Sequence, residues 1–376
     1  MQSIETTIIH KGISNQDSGA VVSPLIQSTT FLRDENGSFV KERDIYSRAS
    51  NPNRRLLEEK LAILENGTEA LCFSSGQAAS IALFHTIGSS SHIIIPDDIY
   101  YGTRLIIEKL YANWNITFSI VDMSNLRNIE EAITLDTKLI WIETPSNPKL
   151  KIADLQEISI LAKSKNILTA CDNTWATPYF TQPLEFGIDI VMHSTTKYLG
   201  GHSDILGGAL IFGKNLDENL TLALKDYQSI GGGVPSPNDC WLLNRSLSTF
   251  FLRMQRHAEN AKKLAFFFQN HDKIEKVYYP GLKEHENHEI AKKQMKNGFG
   301  GMISIEIKGD EDNCLRVASK LRVFKHATSL GGVESLVDHR RTAEGIHSVS
   351  PVNLLRVSVG IEDIDDLLED FSQALS

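Results

Sequence analysis

Apolar residues along this chain fall into short bunches separated by stretches with helical spacing. From about Asn53, RRLLEEKLAILE sets its apolar positions three and four apart, which predicts an amphipathic helix. The bunches that follow are ALCF (70–73), HIIIP (92–96), ITFSIVD (116–122), KLIWIE (138–143), ILTACD (167–172), DIVMHS (189–194) and GALIFG (208–213). Between them lie helical patterns such as QAASIALFHTI and DLQEISILAKSKN. Short runs that are apolar on both faces and spaced by helices predict a mostly parallel sheet covered on both sides.

The flanks read differently. Residues 1–52 carry few sustained apolar periods, which predicts an irregular arm lying on another surface, that of a neighbouring subunit. Ser236 to Asn270 is one long helical pattern that opens with the capping sequence SPND. Beyond it, MISIEIKG, a helix, LLRVSVGIE and the amphipathic EDIDDLLEDFSQAL predict a small α+β unit. The fold class is therefore α/β, with an arm (1–52), a large domain (53–235) and a smaller C-terminal domain (236–376).

Composition narrows the classes. A chain of 376 residues, 41% of them apolar, suits two packed domains better than one core. A net charge of −9 with no block of Lys and Arg argues against a nucleic-acid partner. The apolar runs stop short of a membrane span, and MQSIETTIIHKG lacks the order of a signal peptide, so a cytoplasmic location is expected. Cys72, Cys171, Cys240 and Cys314 form no CxxC pair and the histidines no HExxH, so reduced buried thiols and no metal are expected.

Three stretches carry candidate chemistry. In DIVMHSTTKYLGGHSD (189–204) an apolar run leads through Ser194 and Thr196 to Lys197. A lysine just past a buried strand can be held partly desolvated, which favours the neutral amine needed to form an imine. Hydroxyls before it can donate to a phosphate, and Gly200 and Gly201 let backbone pass close to a ligand. In ILTACDNTWATP, Asp172 ends another apolar run, where a carboxylate is costly unless it meets a cation such as a protonated ring nitrogen. In LCFSSGQAASIALFHTI the chain turns through Gly76 and Gln77 into a helix whose first N–H groups suit an anion. No GxGxxG follows the first run, which sets aside a dinucleotide-binding oxidoreductase.

Taken with YSRASNPN (46–53), ETPSNP (143–148), CDNTWATP (171–178), STTKYLGGHSD (194–204), SLGGVESL (329–336) and LLRVSVGIED (354–363), the chain resembles the Cys/Met-metabolism enzymes dependent on pyridoxal 5'-phosphate (PLP). These are PLP-dependent transferase-like, fold type I (aspartate aminotransferase-like) proteins, among them cystathionine γ-synthase, cystathionine γ- and β-lyase, methionine γ-lyase and the O-acylhomoserine sulfhydrylases. The resemblance implies that Lys197 carries the cofactor and moves protons, that Asp172 holds the pyridinium proton, and that Tyr100 stacks on the ring and assists catalysis. It implies phosphate contacts from Ser194, Thr196, Gly76 and Gln77, with Tyr46 and Arg48 reaching in from a neighbouring subunit. Arg356 would clamp the substrate carboxylate, helped by Ser329 and Asn147. The assembly implied is a homotetramer, a dimer of dimers sharing active sites, and the substrates are small amino acids.

Departures from the family pattern bear on specificity. Gln77 stands where Met is common, a small change if the backbone amide does the binding. YYGTR (100–104) replaces YGGTYR, so Arg104 is out of step with the family's arginine, and no cysteine marks this loop as in methionine γ-lyases. Thr328 stands where enzymes handling cystathionine often carry a glutamate, and His339, Arg340 and Arg341 follow where HPA is common. One anion lost and cations gained favour a substrate with a distal carboxylate, such as O-succinylhomoserine. The leading expectation is γ-elimination or γ-replacement of the cystathionine γ-synthase/γ-lyase type. A cystathionine β-lyase, an O-acylhomoserine sulfhydrylase, or a catalytically idle regulatory protein on the same fold are the alternatives.

Overall fold

The computed structural model describes residues 2–13, 19–39, 45–345, 348 and 350–376, so parts of the expected arm (1, 14–18 and 40–44) lie outside the described residues. All seven apolar bunches form strands: β1 (Glu69–Phe73), β2 (His92–Pro96), β3 (Thr117–Val121), β4 (Thr137–Glu143), β5 (Leu168–Asp172), β6 (Ile190–His193) and β7 (Gly208–Phe212). They make one sheet in the order β1-β7-β6-β5-β4-β2-β3. Pairings among β2 to β6 are parallel, whereas β7 runs antiparallel to both β6 and β1. The reversal has a plain cause. The segment from β6 to β7 contains turns but no crossover helix, and parallel return needs a crossover. Every residue of β2, β6 and β7 is buried, as helices on both faces require, while the edge strand β3 is partly exposed.

A second sheet comprises β8 (Ile274–Tyr278), β9 (Met302–Ile307), β10 (Lys325–His326), β11 (Leu336–His339) and β12 (Leu354–Ser358). Its order is β10-β11-β12-β9-β8, antiparallel except for the short β10–β11 pair. The closing helix Ile364–Leu375 sets Leu367, Phe371 and Leu375 four apart and buries them against this sheet.

Helix starts follow their side chains. Asn51 accepts from the N–H groups of Asn53 and Arg54 ahead of Pro52–Leu64, and Ser236 accepts from Asp239 N ahead of Pro237–Leu247. The pattern expected to be one helix over Ser236–Asn270 is two, Pro237–Leu247 and Phe250–Gln269. At the break, the Thr249 hydroxyl donates to the Ser246 carbonyl (3.3 Å), and Arg253 Nη2 takes the same oxygen at 3.1 Å. Hydroxyls that bond to nearby backbone compete with the helix in this way. Arg253 then donates to Tyr198 O at 2.7 Å and so ties the break to the loop that carries Lys197.

The arm is more ordered than its composition predicts. Ser3 caps a helix over Ile4–His10 that buries Ile8 completely. Further on, Asn53 bonds Pro24 O and Ile26 N, and Trp241 donates to Ser23 O, which pins that stretch to its own chain. Val21, Val22 and Leu32 remain exposed beside it.

Candidate active site

The parallel strands β4, β5 and β6 all point their carboxyl ends at one edge of the sheet, where ligands of open α/β sheets bind. There a cavity of about 500 Å³ opens between that edge and the second sheet. Lys197, Asp172, Asn147, Ser194 and Gly76 line it from the first sheet, and Arg356, Ser329 and Thr328 from the second.

Lys197 stands in the turn after β6, half-buried, with Nζ donating to Ser329 Oγ at 2.7 Å. Burial, and then the Arg356 and Arg340 guanidiniums, lower its pKa from 10.5 to about 8. A much larger share of neutral amine is therefore present near neutrality than in a free lysine. Ser329 holds its backbone at φ +85°, a left-handed conformation costly for a residue with a Cβ. Its carbonyl is held in turn by Arg356 Nη2 at 2.9 Å.

Arg356 lies on β12 with 3% of its surface exposed. It also donates to Asn147 Oδ1 (3.2 Å) and to Asp338 Oδ2 (3.1 Å). Burial and the neighbouring Arg340 depress its pKa to about 10. Three of the five guanidinium N–H donors are thus engaged, both of those on Nη2 among them, leaving one Nη1–H and the Nε–H.

Asp172 closes β5, buried, with Oδ1 accepting from Thr174 N at 3.0 Å. Burial raises its pKa, and the hydrogen bonds from Thr174, then the nearby His193 imidazole, work against that rise. Glu143, at the matching end of β4, sits beside it, and burial followed by the Asp172 charge pushes its pKa well above the usual range. Of the two carboxyls, Glu143 is the more strongly shifted toward its protonated form. Among the described residues Asp172 has no ion-pair partner, so a protonated ring nitrogen in the cavity would supply the missing cation.

At the start of the helix Gly76–Thr86, Ser75 Oγ caps Ala78 N, which leaves the N–H groups of Gly76 and Gln77 free of intrahelical partners. A Cβ at Gly76 would meet the Ser194 Cβ at 2.9 Å, so only glycine lets this helix end approach Ser194. Ser194 Oγ has no hydrogen bond among the described residues. Thr196 Oγ1 is engaged with Gly207, donating to its carbonyl at 3.2 Å and accepting from its N–H at 3.0 Å. A cradle of backbone N–H groups and hydroxyls at a helix start has the donors that a phosphate needs. With Lys197 and Asp172 in the same cavity, the donor set fits PLP.

Tyr100 lines the rim, the residue 42% exposed and its N–H held by Glu143 Oε2 at 2.8 Å. Thr328 is exposed at the cavity wall. Tyr46 and Arg48 are not among the lining residues: Arg48 donates to Ser229 O and lies over the Tyr46 ring at 5.8 Å. Two expectations need correction. Gly201 approaches Arg253 rather than a ligand, since a Cβ there would fall 2.0 Å from Arg253 Nη1, and Gly200 abuts the Thr195 carbonyl. The expected surplus of cations is also absent. Arg341 is exposed and off the cavity, while Arg340 is ion-paired with Asp338 and Glu344. Glu143, Asp338 and Glu344 went unnoticed in the sequence, although Glu143 opens the ETPSNP motif.

All four cysteines are buried and unpaired. Among the described residues no helix is long and apolar enough to cross a membrane.

The chain is similar over its whole length to known proteins. It is 43% identical over 384 residues to the cystathionine beta-lyase of Lactococcus lactis subsp. cremoris, covering 100% of this chain and 99% of that protein. It is 44% identical over 385 residues to the cystathionine gamma-lyase of Dictyostelium discoideum, covering 99% and 97%. The crystal structure of cystathionine gamma synthase from Xanthomonas oryzae pv. oryzae, in complex with aminoacrylate and cysteine, superposes with a TM-score of 0.93 at 36% identity, covering 100% of this chain and 98% of that one. The architecture is that of fold type I, a mixed sheet clad in helices with a second, smaller sheet beside the site. The model of the Cys/Met metabolism PLP-dependent enzymes matches residues 5–376, and the chain belongs to that family.

Proposed function

We propose that this enzyme catalyses γ-elimination or γ-replacement on a sulfur amino acid, as a carbon–sulfur lyase or transferase of the cystathionine γ-synthase/γ-lyase type. It is a PLP-dependent enzyme of the transsulfuration type acting on small amino acids. The observation that carries the reading is the Lys197–Ser329 contact of 2.7 Å, in a cavity that also holds Asp172 and Arg356.

Bound there, PLP supplies an electron sink for the carbanion formed at the substrate's α-carbon. Lys197 is the residue that carries it, and Asp172 holds the proton on its ring nitrogen. Tyr100 covers the ring face, while Ser194, Thr196 and the N–H groups of Gly76 and Gln77 bind the phosphate. Thr196 must first turn its hydroxyl away from Gly207. Arg356 receives the substrate carboxylate, with Ser329 and Asn147 fixing the guanidinium plane. Lys197, neutral above about pH 8, takes the Cα proton. For γ-chemistry a proton must also leave Cβ; Lys197 would serve as base again only after giving up the Cα proton, with Tyr100, which lines the same cavity, assisting.

Tyr46 and Arg48 complete a neighbouring subunit's phosphate site in this reading, within a homotetramer built from dimers that share active sites. Their distance from their own cavity lining and the exposed Val21, Val22 and Leu32 support that arrangement. The chain divides into the arm 1–52, a cofactor domain 53–235 and a C-terminal domain 236–376, and it works in the cytoplasm. A β-lyase is the second reading, favoured by the end-to-end match to the Lactococcus enzyme.

The test is a substrate panel with PLP-loaded enzyme. Cystathionine, cysteine and methionine are offered alone, and O-succinyl- and O-acetylhomoserine with and without cysteine. Release of 2-oxobutanoate from cystathionine, or cystathionine made from an O-acylhomoserine, supports γ-chemistry. Pyruvate from cystathionine establishes the β-lyase, and no turnover of any member refutes both readings.

A further inference from the structure

Arg54 is a buried cation in an unfavourable place. It stands in the first turn of the helix Pro52–Leu64 and is 2% exposed. A positive charge there opposes the helix dipole, and a buried guanidinium is costly unless it is paired. Its partners are the backbone of the turn just upstream. Nη1 donates to Ser47 O at 3.0 Å, and Nη2 donates to Arg48 O at 3.3 Å and to Ala49 O at 2.7 Å. Glu58 Oε1 lies 3.6 Å from Arg54 Nε and itself accepts from Cys72 N on β1 and from Gln228 Nε2, both at 2.9 Å. The turn is closed by Tyr46 O, which accepts from Ala49 N at 2.9 Å and Ser50 N at 3.0 Å. The carbonyls of 47–49 are thus drawn onto a buried group, while the side chains of Tyr46 and Arg48 stay exposed. At its tip Arg48 donates to Ser229 O, which spends one of its five N–H donors, and a Cβ at Gly232 would come within 3.1 Å of its Cδ. Arg48 is therefore held at its root by Arg54 and near its tip by the end of the helix Glu218–Gly231.

We propose that Arg54 is a positioning residue for the cofactor of the neighbouring subunit: by gathering the carbonyls of Ser47, Arg48 and Ala49 it fixes the turn from which Arg48 reaches the phosphate across the interface. The proposal rests on the shared-site reading above and adds to it a residue that touches neither cofactor nor substrate. An arginine suits the task because its planar fork presents several donors at once, where a lysine offers a single point of charge. Glu58, tied to β1, anchors the guanidinium in turn. A rival route runs through Glu58 and β1 to the chain's own cradle at Gly76 and Gln77. Loss of Arg54 would then be felt in the same subunit rather than in its neighbour.

The test titrates cofactor-free enzyme with PLP and follows cofactor absorbance. Arg54→Met keeps the length of the side chain and removes its donors. It and Arg48→Ala should each weaken PLP binding by about ten-fold or more, the worth of one charge-assisted hydrogen bond. Because Arg54 acts through Arg48, the double variant should bind scarcely more weakly than Arg48→Ala. Effects that multiply would mean independent roles and would overturn the proposal. Subunit mixing separates the two routes. An excess of Lys197→Ala subunits, which bring an intact arm, should restore tight binding to Arg54→Met chains. The readout is borohydride fixation of cofactor on Lys197, present only in the Arg54→Met chains, at a PLP concentration that leaves Arg54→Met alone mostly empty. No restoration, with exchange confirmed by mass, would place the effect within one subunit and overturn the proposal. Arg54→Lys keeps the charge but not the fork and should fall between wild type and Arg54→Met; it carries the same comparisons if Arg54→Met does not fold. Arg48→Ala binding PLP as tightly as the wild type would refute the shared-site reading itself. A weakened Arg48→Ala beside an unchanged Arg54→Met would refute the role of Arg54 alone.

Discussion

Lys197 Nζ donates to Ser329 Oγ across 2.7 Å, and this contact, with the Val333 N–H donating to the Gly201 carbonyl at 3.0 Å, joins the turn after β6 to the loop ahead of β11. The two sheets therefore meet at Lys197, an amine whose pKa burial lowers to about 8. Arg356 strengthens the junction by holding the Ser329 carbonyl and Asn147 together. Disturbing one side should thus be felt on the other.

Removing the amine is the bluntest intervention. Lys197→Ala should leave a folded protein that has lost the visible absorbance of lysine-bound cofactor. Turnover should fall by roughly 10²- to 10⁴-fold or more, the span associated with losing a positioned general base. Circular dichroism, absorbance and 2-oxo-acid assays check this together; retained turnover refutes the assignment.

Arg356 should act mainly on substrate capture. Arg356→Ala forfeits a charge-assisted contact worth about 1.5–3 kcal/mol, so KM should rise by at least about ten-fold, more than kcat falls. Steady-state kinetics decide it, and an unchanged KM would remove Arg356 from the carboxylate site.

The depressed Lys197 pKa gives a signed pH dependence in the cofactor-free protein. Between pH 8 and 10.5 the unfolded chain keeps a proton that the folded one has lost. The unfolded state then binds more protons, so this residue's contribution to stability rises with pH across that window. Below pH 8 both states are charged and the burial penalty is constant. Urea denaturation at a series of pH values should show the wild type gaining on Lys197→Met through the window. A flat difference would mean the amine titrates normally.

Arg48→Ala should weaken cofactor retention although Arg48 lies off its own cavity lining. Mixed with Lys197→Ala subunits, it should regain part of the activity, because one site of each hybrid dimer would be intact. No regain on mixing, with exchange confirmed by mass, would put Arg48 outside the shared site.

How much of this was legible in the sequence follows from the range over which each feature is encoded. The seven strands are local apolar runs, and each was readable. Lys197, Asp172, Asn147, Ser329 and Arg356 sit in long motifs, and the fold gathers all five around one cavity. What the sequence concealed depends on partners. Arg340 looks like an added cation until Asp338 and Glu344 are seen to engage it. Gly201 looks like a ligand approach until Arg253, more than fifty residues on, fills the space. The helix at Ile4–His10 hides because a single residue, Ile8, carries its burial.

The most direct test of the account is to find where the cofactor is attached. Reduction of the PLP-loaded enzyme with borohydride fixes the cofactor to its lysine, and peptide mass spectrometry then locates it. A pyridoxyl group on Lys197 alone is the predicted result. Attachment to another lysine, or no attachment, would contradict the site around which every role above is arranged.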